Sequence, residues 1–126
     1  MLKRQAQPRF LDLRKIKLPL PGVVSILHRI SGVMMVAAIP FCIYLLEQSL
    51  QDQEGYARTV SLTDNMTFKL VAIILLWSLS HHLFSGIRFL LLDVDVGIER
   101  SQARNSSKAV FLASVLSTLI FTGVIW

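Results

Sequence analysis

With 126 residues, 53% of them hydrophobic, the chain is too apolar for an ordinary soluble domain, where the apolar share is roughly 45–50%. Its formal charge of +5, from 13 Lys or Arg against 8 Asp or Glu, would suit a nucleic-acid binder. The bases are instead sorted along the sequence in the way that sets membrane orientation, which argues against nucleic acid as a partner. The one cysteine, Cys42, rules out an internal disulfide and a cysteine metal cluster; set in an apolar run, it reads as a buried hydrophobe.

Three uncharged runs, Ile30 to Leu46, Leu70 to Ile87 and Ala109 to Trp126, are each about long enough to cross a bilayer. The expected fold is all-α integral membrane, with three transmembrane helices at about 22–47, 67–92 and 107–126 in a single domain, 1–126. Three helices enclose little, so they are expected to form part of a heteromeric bundle completed by other chains.

Residues 1–21 are basic and end in Leu-Pro-Leu-Pro-Gly across 18–22. The prolines predict an extended approach and a helix from about Gly22. The apolar pattern before them is too mixed to separate helix from strand. Such a flank can meet anionic lipid head groups or dock on a cytoplasmic partner. It has neither a continuous apolar stretch nor a small-residue cleavage site, which excludes a secretory signal, and no organelle-type presequence is evident. The expectation is a bacterial inner membrane, with a trimmed mitochondrial form as the lesser alternative.

In the first span Ser25 and Arg29 share a helical face, as do His28 and Gly32. Arg29 can snorkel to the surface or face a ligand. Pro40 removes a backbone hydrogen bond and predicts a kink. Gln48 to Asp64 is polar and reads as an outside loop. The second span carries His81 and His82 inside its uncharged run. Ionisable groups at such depth are costly and mark functional sites. His82, Ser85, Gly86 and Phe89 lie on one face, where a neutral imidazole beside a glycine suits a flat cofactor with iron to ligate. Polar glue between helices is the competing reading, and His81 points about 100° away from His82.

Asp93, at the end of this span, can cap the helix, pair with a base or deliver protons. Ser101 to Ser107 has a loop composition. The third span has Ser114, Ser117, Thr118 and Gly123 for packing, with Trp126 as an interfacial anchor. Six Lys or Arg precede span one, two (Arg58 and Lys69) lie between the uncharged runs of spans one and two, four (Arg88, Arg100, Arg104 and Lys108) lie between those of spans two and three, and none follows the third. That distribution predicts a cytoplasmic N-terminus and a periplasmic C-terminus.

Two motifs carry a resemblance. HxxxGxRxLLxD, formed by His82, Gly86, Arg88, Leu90, Leu91 and Asp93, resembles the second helix of the cytochrome b membrane-anchor subunits of succinate dehydrogenase (succinate:quinone oxidoreductase, complex II). SxxHRxSG, at Ser25 to Gly32, is similar to the first-helix signature of the same subunits. The resemblance implies that His82 is an axial ligand of haem b iron and that Ser25 and Arg29 line the ubiquinone pocket. It also implies that His28 lies near the haem, towards its propionates. A haem shared with a second small membrane-anchor subunit follows, that subunit supplying the other ligand. So do an iron-sulfur subunit and a flavoprotein subunit, where succinate is oxidised in the tricarboxylic acid cycle. Phe89 departs from the relatives that have a further histidine there. On this reading the chain alone catalyses nothing. The alternatives are a quinol:fumarate reductase anchor and a small transporter or assembly protein without haem.

Overall fold

The computed structural model describes residues 17–126; the readings placed on the basic segment before Lys17 lie outside the described residues. Four helices occur in chain order: α1 (Leu20–Gln51), α2 (Gln53–Leu62), α3 (Met66–Asp93) and α4 (Arg100–Ile125). No strand is present among the described residues. Helices α1, α3 and α4 are each long and apolar enough to cross a membrane, as the uncharged runs predict.

Pro19 caps α1 in an extended conformation and Pro21 falls in its first turn, where a missing N–H costs no helical hydrogen bond. The helix therefore starts at Leu20, two residues before the expected Gly22, and continues through Pro40.

The segment expected as an outside loop contains α2. Asp52 caps this helix, its Oδ1 accepting from Gly55 N at 2.6 Å, and Arg58 pairs with Glu54 at 2.8 Å. A Cβ on Gly55 would run into the Gln48 carbonyl. Glycine is what lets α2 fold back on the end of α1.

The polar run 101–107, also expected as a loop, is helical. Ser106 and Ser107 both donate to the Ala103 carbonyl, at 3.2 and 2.8 Å, and Ser107 is fully buried. The hydroxyls satisfy themselves on their own helix, so α4 begins at Arg100 rather than near 107.

Helix α3 packs along both α1 and α4, which touch each other less. Val24 and Val110 are the buried hydrophobic residues among the described residues, whereas Ser31, Ser78, Ser85, Ser107 and Ser114 have no exposure at all. Small residues let helix backbones approach closely, which replaces the hydrophobic drive that lipid cannot supply. Their hydroxyls return to carbonyls one turn back: Ser31 to His28, Ser78 to Ile74 and Ser114 to Phe111. Large apolar side chains such as Val33, Leu50, Leu90 and Val124 point outward. Cys42 is exposed with them, contrary to the expected burial, because in a membrane bundle an apolar run faces lipid or another chain.

Candidate functional site

The seven-residue spacing of α3 separates two faces. On one, His81 and Arg88 turn towards α4; on the other, His82 and Phe89 turn towards α1.

His81 is fully buried. Its ring stacks on Trp77, with centroids 5.1 Å apart, and meets Phe111 of α4 at 5.5 Å. Its Nε2 lies 3.2 Å from Ser85 Oγ, one turn on. Arg88 is also buried. Its Nε donates to Ser106 Oγ at 3.0 Å and an Nη donates to the Ala103 carbonyl at 3.2 Å. This side chain pins the end of α3 to the start of α4. It shares an end of the bundle with His28 and Arg29, as the topology predicts, but lies on the other face of α3.

His82 crosses to α1. The His82 and His28 rings stack with centroids 4.1 Å apart and 20° between planes. His82 Nδ1 lies 3.1 Å from the His28 carbonyl and 3.3 Å from Ser31 Oγ, while the Ser31 hydroxyl donates to that same carbonyl at 2.8 Å. A carbonyl can only accept, so Nδ1 carries the proton and donates. In the neutral ring the lone pair is then on Nε2. Nε2 has no hydrogen-bond partner among the described residues, yet it is not one of the buried atoms left unpaired; it is open to the groove.

That groove has a volume of about 630 Å³ and is lined by Arg29, Gly32, Val33, Val36, Ala37 and the two histidines. Its wall is almost wholly apolar. Gly32 makes the approach of the helices possible, since a Cβ there would lie 3.0 Å from His82 Cε1. Gly86 answers from α3, where a Cβ would lie 3.6 Å from His28 Nε2. His28 Nε2 is itself buried without a partner, and the ring is backed by Phe89 at 5.3 Å.

Of the remaining sequence-derived candidates, Arg29 is exposed at the groove, and Ser25, one turn earlier, is half-buried outside its lining. Asp93 is the exposed last residue of α3 and pairs with no base among the described residues. Sequence reasoning missed Ser31 as the third member of the histidine contact and Ser106 as the partner of Arg88. Ser31 stands in the sequence only as a position of the SxxHRxSG motif, and Ser106 falls in the polar run 101–107, which reads as a loop.

Three apolar helices around a cross-helix histidine contact define a multi-pass membrane subunit with a one-sided polar site. Residues 3–121 match the family described as succinate dehydrogenase/fumarate reductase transmembrane subunit, and the chain belongs to that family. It is 32% identical over 121 residues to the succinate dehydrogenase cytochrome b556 subunit of Coxiella burnetii, covering 95% of this chain and 97% of that one. It is 28% identical to the subunit of the same name from Paracoccus denitrificans, over 94% and 92% of the two chains. Identity is 26% to the succinate dehydrogenase hydrophobic membrane anchor subunit of Archaeoglobus fulgidus, over 87% and 86%.

The two glycines give a test of the contact. Gly32→Val places methyl groups where a Cβ is already tight, and overpacking of this kind costs about 1–3 kcal/mol. The expected result is a lower thermal unfolding midpoint in detergent. Gly86→Ala, with ordinary contact distance, should shift the midpoint much less. Equal midpoints for the wild type and Gly32→Val would contradict the close approach.

Proposed function

We propose that the chain is the haem b-carrying anchor of a succinate:ubiquinone oxidoreductase and forms part of its quinone-reduction site. The observation that carries this reading is His82: its Nδ1 is held by the His28 carbonyl, and its Nε2 is left free at an apolar groove. A histidine fixed through one nitrogen by a backbone carbonyl is a common arrangement for a metal-ligating imidazole. The relatives named cytochrome b556 subunits support the same assignment.

The residues present fit such a group. His82 would hold the iron, with Gly32, Val33, Val36 and Ala37 as an apolar wall on one side. When bound, haem supplies a one-electron store near the quinone. His28 serves by stacking behind His82 and presenting the orienting carbonyl. On this reading a second membrane-anchor subunit would close the open side of the groove and supply the other iron ligand. An iron-sulfur subunit and a flavoprotein subunit deliver the electrons of succinate.

Arg29 and Ser25 are the residues assigned to the quinone. A guanidinium and a hydroxyl beside a quinone oxygen stabilise the negative charge that develops on reduction. Asp93, exposed at the same end, can exchange protons with water there and is assigned proton delivery. The chain catalyses nothing by itself. Family membership counts against a transporter.

His82→Leu should abolish or severely weaken the b-type band in reduced-minus-oxidised spectra of the assembled complex. His81→Leu should matter less, because His81 lies on the α4 face. A normal b-type band from fully assembled His82→Leu complex would sink the haem assignment.

The membrane is taken to be a bacterial inner membrane, with the N-terminus cytoplasmic. A periplasm-active reporter fused after Trp126 should therefore be active, and activity of a cytoplasmic reporter at that position would reverse the orientation.

Arg29→Lys separates quinone binding from surface anchoring, since lysine can also snorkel but lacks the fixed fork of donors. Arg29→Lys and Ser25→Ala are each expected to lower succinate-to-quinone activity about tenfold or more, the effect of losing about 1.4 kcal/mol. Succinate oxidation with a soluble artificial acceptor should survive. Normal quinone reduction by both assembled variants would remove Ser25 and Arg29 from the site.

A further inference from the structure

A second cavity lies at the end of the bundle where α1 and α4 begin. It has a volume of about 450 Å³ and is lined by Leu18, Pro19, Leu20 and Pro21 on one side and by Arg100, Arg104 and Lys108 on the other. The three cations recur every four residues along one face of α4. Like charges at this spacing repel, and they sit at the helix end whose dipole is already positive. None of the three forms an ion pair among the described residues. The cluster therefore favours an anion, which would offset both costs.

The opposite wall narrows the choice of anion. It is made of two leucines and two prolines, and prolines offer no N–H to a soluble ion. The level in the membrane narrows it further. The uncharged run of α4 starts at Ala109, directly after Lys108, so Lys108 stands at the hydrocarbon edge. Arg100 lies about 12 Å further out along the helix. Cations at head-group level facing an apolar wall match an amphiphile with a charged phosphate and acyl chains.

We propose that this groove is a binding site for an anionic glycerophospholipid. Arg104 and Lys108 hold its phosphate, and Leu18 and Leu20 pack on the upper part of an acyl chain. Arginine supplies the planar fork that suits phosphate oxygens, and lysine supplies a point charge. The site lies apart from the histidine groove and does not depend on the haem or quinone assignment.

The test uses the whole membrane-extracted assembly, stripped of lipid and titrated separately with phosphatidylglycerol and phosphatidylethanolamine, with bound lipid counted by native mass spectrometry. Wild type should hold phosphatidylglycerol in preference to phosphatidylethanolamine. At about 1 kcal/mol per cation near the surface, the double change Arg104→Gln with Lys108→Gln should weaken phosphatidylglycerol binding about thirtyfold. The charge-retaining pair Arg104→Lys with Lys108→Arg should keep most of it. Equal binding by wild type and the glutamine pair would overturn the proposal, as would equal affinity for the two lipids. Displacement of the lipid by inorganic phosphate at matching concentration would assign the cations to a soluble anion instead. Loss of other subunits from the glutamine pair with its lipid count unchanged would make the surface a protein interface and likewise overturn the lipid site.

Discussion

The backbone carbonyl of His28 is the atom on which the site depends. It lies one turn from the Ser31 hydroxyl that donates to it, and it reaches across to His82 Nδ1 at 3.1 Å. In a hydrocarbon environment no water can take over either bond, so a polar group that loses its partner there bears the whole desolvation penalty. The contact therefore does two things at once: it sets the register of α1 against α3, and it fixes which nitrogen of His82 is available to a ligand. Glycine at 32 favours it, because a Cβ there would press on the His82 ring, 3.0 Å from Cε1.

Adjacent histidines on α3 have been given separate work by the 100° step of the helix. His81 is enclosed by Trp77, Ser85 and Phe111 and belongs to the packing between α3 and α4. Arg88, seven residues on, continues that face and commits its donors to Ser106 and the Ala103 carbonyl. Ionisable groups that look alike in the sequence thus divide into a structural column and a groove-lining column. Only the second meets Arg29.

The spans are legible in the sequence because an uncharged apolar run of such length fits little except a membrane-crossing helix. The cross-helix contact of His82 is legible because an imidazole at that depth needs a partner. Less visible are the features that depend on a neighbouring helix. The serines of 101–107 have the composition of a loop, and only their bonds back to Ala103 show them to be helical. Helix α2 is hidden in a polar connection, although Asp52 three residues before Gly55 is a capping arrangement. Cys42 reads as interior because apolar neighbours mean burial in water; in a bundle surrounded by lipid they mean the reverse. Arg88 falls at the expected end of the bundle, but its partner on α4 emerges only once that helix is seen to begin at Arg100.

The serine hydroxyls of the interior also bear on how the protein is made. Because Ser31, Ser78, Ser107 and Ser114 all donate to carbonyls of their own helix, each span can leave the insertion machinery with most of its hydrogen bonding complete. The helices need not meet before they enter the bilayer. His82 Nδ1 and the Arg88 guanidinium are different, since their partners lie on other helices. They find these partners only once α3 has met both neighbours, so a mispaired α3 leaves His82 Nδ1 without its carbonyl and Arg88 without Ser106, while the correct pairing does not.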